Sequence, residues 1–414
     1  MPDETRPPVP LMPSATSDRE AEAASFLAAI DALLPELRSR AAEVEQRGMV
    51  PDDIIRSLTA VGVFRALQPR QWGGWELDFA AYYEGMIRLA SACTSTGWVA
   101  SVVGVHPWHA ALFAPEAQRE LWGDNPHAMM STSLAPVGQV EWTAGGYRLS
   151  GRWPFSSGVD HCGWVVLGGT APDEAGGGVY HTFLVPRRDY MIDQESWKVT
   201  GLAGTGSKTV ILRDVFVPKY RTHSIVDNYN GIDPGLAIND RPYYRLPWRL
   251  VFGYCIAAPA AGAAVGALEA FIAGNRDRHS AHGAKAVARS PALHRPLARA
   301  LAIIGMVRQR MSATWTELQG RAFAGQPIPY ERRTQAFYEA TLVHDACSHA
   351  IYELMGVNGG RTMNADTALQ RHFRDMLAMR NHPAANIEMS SGLYAQAVLG
   401  VPPPPFDPSQ RFFL

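Results

Sequence analysis

The periodicity of the apolar residues changes twice along the chain, and the resulting order, helical, then β, then helical, restricts the fold more than any other feature. From about Ala21 to Ala114 apolar positions recur at helical spacing. Val50-Pro51-Asp52-Asp53 sets a proline and two acids at the start of a helix that carries Ile54, Ile55, Leu58 and Val61 and stops near Gly62. Gly73-Gly74 breaks the chain, and Phe79 to Val105 reads as helix again, free of charge after Arg88 and therefore buried on most sides. Near Met130 the character changes. Glu141 to Ser150 reads as a hairpin turning at Gly145-Gly146, with further strands at Trp164 to Gly168, Tyr180 to Val185 and Thr209 to Val217. From Trp248 to Leu399 helices return, with Ala-rich faces suited to close packing. The expected fold is mainly α with a central β domain. Its division is a disordered lead-in over 1–18, an N-terminal helical domain over 19–129, a middle β domain over 130–222, an irregular connection over 223–247, a helical bundle over 248–400 and a tail over 401–414. In that tail Phe412, Phe413 and Leu414 are expected to dock on the protein.

With 414 residues the chain has ample material for a buried core, so it needs no staples. A formal charge of −1 and the lack of a long basic run argue against nucleic acid or an anionic membrane as partner, and for a small, roughly neutral one. Cys93, Cys162, Cys255 and Cys347 lie far apart, which speaks against a zinc site and a disulfide framework, and fits a cytoplasmic location. Met1 to Asp18 has no basic and apolar signal pattern. Leu250 to Leu268 is uncharged but dominated by Ala and Gly and holds Pro259, so it reads as a packed helix rather than a membrane span.

The densest signal is Gly151-Arg152-Trp153-Pro154-Phe155-Ser156-Ser157-Gly158-Val159-Asp160-His161. It reads either as a strand ending in a small-residue turn or as stacking surface plus placed hydroxyls for a flat ring system. Trp197 to Ser207 supplies small residues and free amides that could line a cofactor, yet it lacks the ending of a phosphate loop and the strand-to-helix setting of a dinucleotide fingerprint. His106-Pro107-Trp108-His109 places two histidines near a buried helix end, where hydrogen-bonded core histidines compete with metal ligands and no third ligand is apparent. Arg374-Asp375 followed by Asn381-His382 is either a solvated helix end or an active-site base.

Taken in order, Gln68-Pro69 with Trp72-Gly73-Gly74, Ser95-Thr96-Gly97-Trp98, Ser131-Thr132-Ser133-Leu134-Ala135-Pro136, Ser156-Ser157-Gly158 with Asp160-His161, Gly204-Thr205-Gly206-Ser207, Asp214-Val215-Phe216-Val217-Pro218 and Phe373-Arg374-Asp375 form one specific set. By this set the chain resembles the oxygenase components of two-component (class D) flavin-dependent aromatic monooxygenases. That family includes the p-hydroxyphenylacetate 3-hydroxylase oxygenase and the oxygenase of 3-hydroxy-9,10-seconandrostatriene-dione hydroxylase. The resemblance implies an acyl-CoA-dehydrogenase-like fold, with an N-terminal helical domain, a middle β-barrel domain and a C-terminal helical bundle, assembled as a homotetramer. It implies reduced flavin, FMNH2 or FADH2, delivered by diffusion from a separate NAD(P)H:flavin reductase, since no nicotinamide fingerprint exists in this chain. The resemblance further implies that with O2 the flavin would form a C4a-hydroperoxyflavin, which would hydroxylate a phenol-like aromatic substrate ortho to its hydroxyl.

The same resemblance implies site residues. Trp98, Thr132, Ser133, Phe155, Ser156, Ser157, Gly204 and Thr205 would bind the cofactor, with Ser157 on flavin N5 and Phe155 against the ring. His106, Thr132, Leu134, Arg249, Phe252 and His382 would contact the substrate, with His106 and His382 catalytic. No metal is expected. Two departures stand out: relatives carry a histidine where this chain has Leu377, and the glutamate base of a true acyl-CoA dehydrogenase falls at Pro383, which cannot abstract a proton. The competing readings are N- or S-oxygenation by the same flavin chemistry and an acyl-CoA dehydrogenase-like oxidoreductase.

Overall fold

The computed structural model describes residues 16–172, 178–279 and 286–409. Most of the expected lead-in and the trio Phe412, Phe413 and Leu414 lie outside them. The first helices are α1 (Thr16–Arg47), α2 (Asp52–Ala60), α3 (Phe79–Ala92), α4 (Thr94–Gly104), α5 (His106–Ala110) and α6 (Pro115–Trp122). Helix α2 starts where Pro51 and the acids at 52 and 53 place it, and it buries Ile54, Ile55 and Leu58. The charge-free run from Phe79 is two helices rather than one. Cys93 breaks it in extended backbone at φ −148°, although no Gly or Pro stands there to announce a stop. The cause is tertiary: the Thr94 hydroxyl meets His372 Nδ1 at 2.8 Å across 278 residues.

The middle region holds β1 (Met130–Ser133), β2 (Gln139–Thr143), β3 (Gly146–Ser156), β4 (Trp164–Pro172), β5 (Gly178–Pro186), β6 (Met191–Asp193), β7 (Lys208–Pro218) and β8 (Thr222–Ser224). They make two four-stranded sheets, in the orders β1-β4-β5-β8 and β2-β3-β7-β6. The hairpin forms at the two glycines, with Gly145 in the left-handed region and Thr143 opposite Gly146. Leu149, Trp153, Val210 and Leu212 of one sheet share a core with Val165, Leu167 and Phe183 of the other, which sandwiches apolar faces between the sheets. The β3–β7 register slips between Trp153 and Ser156, a bulge at the strand end that leads into the densest motif.

The chain then passes through α7 (Ile225–Asn230) into α8 (Trp248–Asn275), α9 (Pro291–Phe323), α10 (Tyr330–Val357), α11 (Ala368–Arg380) and α12 (Ile387–Val398). Helix α8 packs against α3, α4, α10 and α11. By length and composition it could cross a membrane, but 78% of its most apolar window is buried inside the protein. Its small residues serve contact: a Cβ on Gly262 would lie 2.4 Å from the Ile87 carbonyl oxygen, so only glycine allows α3 this close.

Candidate active site

The bulge in β3 does two things. It drives Phe155 into the left-handed region, φ +66°, and leaves its ring 69% exposed, edge-on to Trp197 at 6.1 Å. A bulky residue at positive φ costs roughly 1–3 kcal/mol, and such strain is retained where a ligand uses it. It also turns the next hydroxyls apart. Ser156 points inward onto Ser131 Oγ at 3.0 Å and is fully buried, while Ser133 Oγ donates to the Pro154 carbonyl at 2.6 Å. Both side chains therefore fasten β3 to β1.

Ser157 joins a hydroxyl ladder whose direction follows from counting protons. Thr205 Oγ1 donates to the Leu202 carbonyl at 2.7 Å, so Ser207 Oγ must donate to Thr205 and Ser157 Oγ must donate to Ser207, each at 2.7 Å. Trp98 Nε1 donates to Ser157 Oγ at 3.0 Å. One lone pair of Ser157 is left, which makes this hydroxyl an acceptor for any further partner. Reduced flavin carries a proton on N5, so an accepting Ser157, the bare Phe155 ring and the indole of Trp98 fit that cofactor by chemistry.

Gly204 and Thr205 lie in a loop pressed onto α1, where a Cβ on Gly204 would meet Val44 Cγ1 at 2.4 Å. The loop is gripped from behind. Leu202, at φ +55°, donates its N–H to Asp375 Oδ1 at 2.6 Å, while Arg374 turns to Glu45 and the Thr200 carbonyl. The Arg-Asp pair thus holds the loop that leads into Gly204 and Thr205 rather than facing solvent. Burial pushes the Asp375 carboxyl up to about 7, against the ordinary 3.8. A carboxyl whose folded value is raised is fully stabilising only at low pH, and its contribution is lost as pH rises from about 4 through 7. Asp375→Asn keeps an acceptor for Leu202 and is expected to gain stability over the parent at pH 8 but not at pH 4.5. Thermal melts at the two pH values check this, and equal shifts at both would refute it.

The second group of residues gathers where α5 meets the start of α8. His106 is 1% exposed, and neither ring nitrogen has a hydrogen-bond partner. Leaving buried polar atoms unmatched costs about 1–3 kcal/mol each. Desolvation lowers its pKa to about 3, so the ring is neutral, with one N–H to donate and one lone pair to accept. The Phe252 ring lies 5.5 Å from that of His106. Arg249, also buried, stacks its guanidinium 3.9 Å over Phe337 and reaches Met389 Sδ at 3.8 Å. Strand β1, with half-buried Thr132, packs on both α4 and α5, and Leu134 follows it, its carbonyl taken by the Tyr180 hydroxyl.

His382 stands just beyond α11, at the start of a turn begun by Pro383, its ring 5.7 Å from that of Trp98. Its Nδ1 accepts the Ala384 N–H at 3.1 Å, which puts the proton of the neutral ring on Nε2. Trp98 therefore links Ser157 to His382. Leu377 is 45% exposed and presents no polar side-chain group to the site. Two open clefts, of 270 and 240 Å3, contain none of His106, Ser157 or His382; unmatched buried groups mark this site better than open volume.

Sequence reasoning missed other histidines. His344, mid-way along α10, is buried with neither ring nitrogen partnered, and desolvation, helped by the nearby His382, lowers its pKa to about 3. His109 Nε2 meets His223 Nδ1 at 3.2 Å, and His223 Nε2 meets Asp233 Oδ1 at 2.6 Å. Neither His223 nor Asp233 falls in a motif, and 114 residues separate His109 from His223. No cluster of three metal-ligating side chains with metal geometry occurs among the described residues.

Residues 21–124 match the acyl-CoA dehydrogenase N-terminal domain and residues 254–387 its C-terminal domain. Over 382 residues the chain is 39% identical to the oxygenase subunit HsaA of a flavin-dependent monooxygenase from Rhodococcus jostii (strain RHA1), covering 90% of this chain and 98% of the relative. The crystal structure of 3-HSA hydroxylase from Rhodococcus sp. RHA1 superposes with a TM-score of 0.88 at 37% identity, over 93% of this chain and 99% of that one. XiaF from Streptomyces sp., solved in complex with FADH2 and glycerol, superposes with a TM-score of 0.85 at 26% identity, over 95% and 98% of the two chains.

Proposed function

The chain belongs to the oxygenase components of flavin-dependent monooxygenases built on acyl-CoA dehydrogenase domains, and from that membership we propose that its substrate is a phenol-like aromatic molecule, hydroxylated ortho to its hydroxyl. It is a reduced-flavin-dependent enzyme, and as the oxygenase of a two-component system it works with a reductase. A homotetramer in the cytoplasm, fed reduced flavin by diffusion, completes the proposal. Exposed apolar side chains on the C-terminal helices, among them Met306 and Tyr352, support assembly with further copies.

When bound, the reduced flavin activates dioxygen and carries the oxygen atom to be transferred. The protein's part is to hold, orient and keep dry. Ser157 would accept a hydrogen bond from the N5–H of the flavin, with Trp98, Ser207 and Thr205 fixing the direction of its lone pair. His382, with Nδ1 taken by the Ala384 N–H, would offer Nε2–H as the donor on the oxygen side of the site. His106 donates its single N–H to the substrate oxygen, and Phe252 walls the aromatic ring. Arg249 supplies a buried positive charge that favours a phenolate or a substrate carboxylate.

The observation that carries the phenol reading is His106, a neutral imidazole with two unmatched nitrogens against an aromatic wall, which suits a hydroxyl borne by a flat ring. Incubation with reduced FMN or FAD, 18O2 and a panel of phenols is expected to give a catechol-type product containing one 18O atom. Hydrogen peroxide alone with every phenol, together with oxygenation of an amine or thioether, would replace this substrate class by N- or S-oxygenation.

A further inference from the structure

Among the described residues two buried histidines have both ring nitrogens unmatched, His106 and His344, and the hydroxyl of a phenol answers only the first. His344 is 1% exposed and lies on the buried face of α10 that Phe337, Thr341 and Ser348 share. The polar neighbours on that face are engaged elsewhere. The Thr341 hydroxyl bonds to the Tyr338 carbonyl at 2.9 Å and to Ser390, and the Ser348 hydroxyl donates to the Asp345 carbonyl at 2.9 Å. Buried polar atoms in native proteins are nearly always matched, so an imidazole with a free donor and a free acceptor calls for a partner outside the chain, water or a group of the substrate.

The place of His344 in the bundle favours the substrate. Arg249 of α8 stacks over Phe337 of α10, and a Cβ on Gly253, one turn on, would lie 3.8 Å from Ala340 Cβ. The two helices therefore run side by side in the same direction, and His344 lies one turn past Ala340, about 6 Å further along α8 than Gly253. It is thus level with the turn of α8 that follows Phe252, whose ring walls His106. The turn at Pro383–Ala385 packs on both helices, and His382, which begins it, is close enough to His344 to disfavour a charge there. Each unmatched imidazole therefore borders a residue of the candidate site, His106 on Phe252 and His344 on His382. Kept neutral by desolvation, the His344 ring cannot offset a buried carboxylate; its one N–H and one lone pair suit an uncharged oxygen.

We propose that His344 is a specificity-determining residue, which hydrogen-bonds a second, uncharged oxygen, carbonyl or hydroxyl, carried by the same phenol whose reacting hydroxyl meets His106. The inference rests on the phenol reading above. The aromatic ring then lies against Phe252 with an oxygen function at either end. Because His344 lies a helical turn further along the bundle, the second oxygen stands off the ring on a short side arm. A carbonyl takes the N–H of His344, and a hydroxyl takes the N–H and returns a proton to the lone pair. A phenol without that oxygen leaves both nitrogens unmatched in a dry setting. A site built to hydrogen-bond a substrate group rejects the analogue that lacks it far more strongly than an apolar pocket rejects a missing methylene.

The test uses the full-length enzyme with chemically reduced FMN or FAD, O2 and two competing phenols that match in shape and differ by one oxygen. The pairs are 3- or 4-acetylphenol against 3- or 4-ethylphenol, and 4-(3-oxobutyl)phenol against 4-butylphenol. The ratio of the two hydroxylated products reports the ratio of their kcat/KM values, so flavin supply, oxygen and the amount of folded enzyme cancel. Comparing variant with parent also cancels the intrinsic reactivity of the rings. In at least one pair His344→Leu is expected to shift the ratio about tenfold or more toward the partner without the oxygen. His344→Gln, which keeps a donor and an acceptor, should shift it less. Unchanged ratios in every pair, or equal shifts in both variants, overturn the role of His344 and leave the phenol reading standing, with water as the partner of the ring. A parent that hydroxylates no phenol overturns the phenol reading itself, and the inference falls with it.

Discussion

Replacing Ser157 by alanine is expected to divert most of the oxygen consumed into hydrogen peroxide, cutting hydroxylated product per reduced flavin about 10- to 100-fold, the worth of one buried hydrogen bond of roughly 1–3 kcal/mol. The direction of the hydroxyl ladder makes the effect specific. Ser157 already donates to Ser207 and accepts from Trp98, so its remaining lone pair is the feature that alanine removes. Affinity for reduced flavin should change only a few-fold, because the Phe155 ring and the loop around Thr205 are untouched. Ser207→Ala gives a graded control: it releases the proton of Ser157, weakens the fixed polarity and should uncouple less. Oxygen uptake, peroxide and product measured together decide the matter. Unchanged coupling in Ser157→Ala would remove this hydroxyl from the cofactor site.

The second large effect is on stability. Lowering the pH from 6.5 toward 4.5 is expected to cost about 5 kcal/mol of folding free energy, comparable to the whole margin of an ordinary domain. His106, His344 and His372 are buried neutral, each with its pKa lowered by desolvation to about 3 against 6.5 in the open chain. A base depressed in this way contributes stability that is complete above pH 6.5 and is lost as pH falls toward 3. Asp375 works in the opposite sense, its carboxyl raised to about 7, so in this window it offsets one of the three. Two protons taken up on unfolding correspond to about 2.7 kcal/mol per pH unit. Denaturant titrations at pH 7, 6 and 5 should show midpoints falling steeply, and His344→Phe should flatten the slope. A flat profile in the parent would mean that these rings are hydrated.

Where the sequence carried local signals, they were legible. Pro51 with Asp52 and Asp53 marks the start of α2, Gly145-Gly146 marks the hairpin, and Pro383 marks a position where no dehydrogenase base can stand. The illegible parts depend on distant contacts. The break at Cys93 is set by packing around Thr94 and His372, and nothing in Ala92-Cys93-Thr94 forbids helix. Strands β1 and β8 are too short, at 4 and 3 residues, for alternation to register. At the site, the serine and glycine motifs pointed to the cofactor side, but Ser156 and Ser133 spend their hydroxyls on neighbouring strands. His344 and His223 were invisible because an isolated histidine in a helix or strand has no pattern. Burial without a partner, or with one far along the chain, becomes visible only in three dimensions.

Helix α8 has a consequence for how such an enzyme can change its diet. Arg249 and Phe252 sit on its first turn, and the helix beyond them is wedged by Ala and Gly against α3, at separations that leave no space for a methyl group at Gly262. A substitution that shifts this helix disturbs much of the core at once, so selection has little freedom to move the anvil. The α4–α5 corner and the turn after β1 are wedged in the same way, since a Cβ on Gly104 would lie 2.6 Å from the Tyr82 hydroxyl and one on Gly168 2.2 Å from the Leu134 carbonyl oxygen. New specificities should therefore arise by exchange of side chains such as Thr132 and Phe252 on backbones that stay where they are.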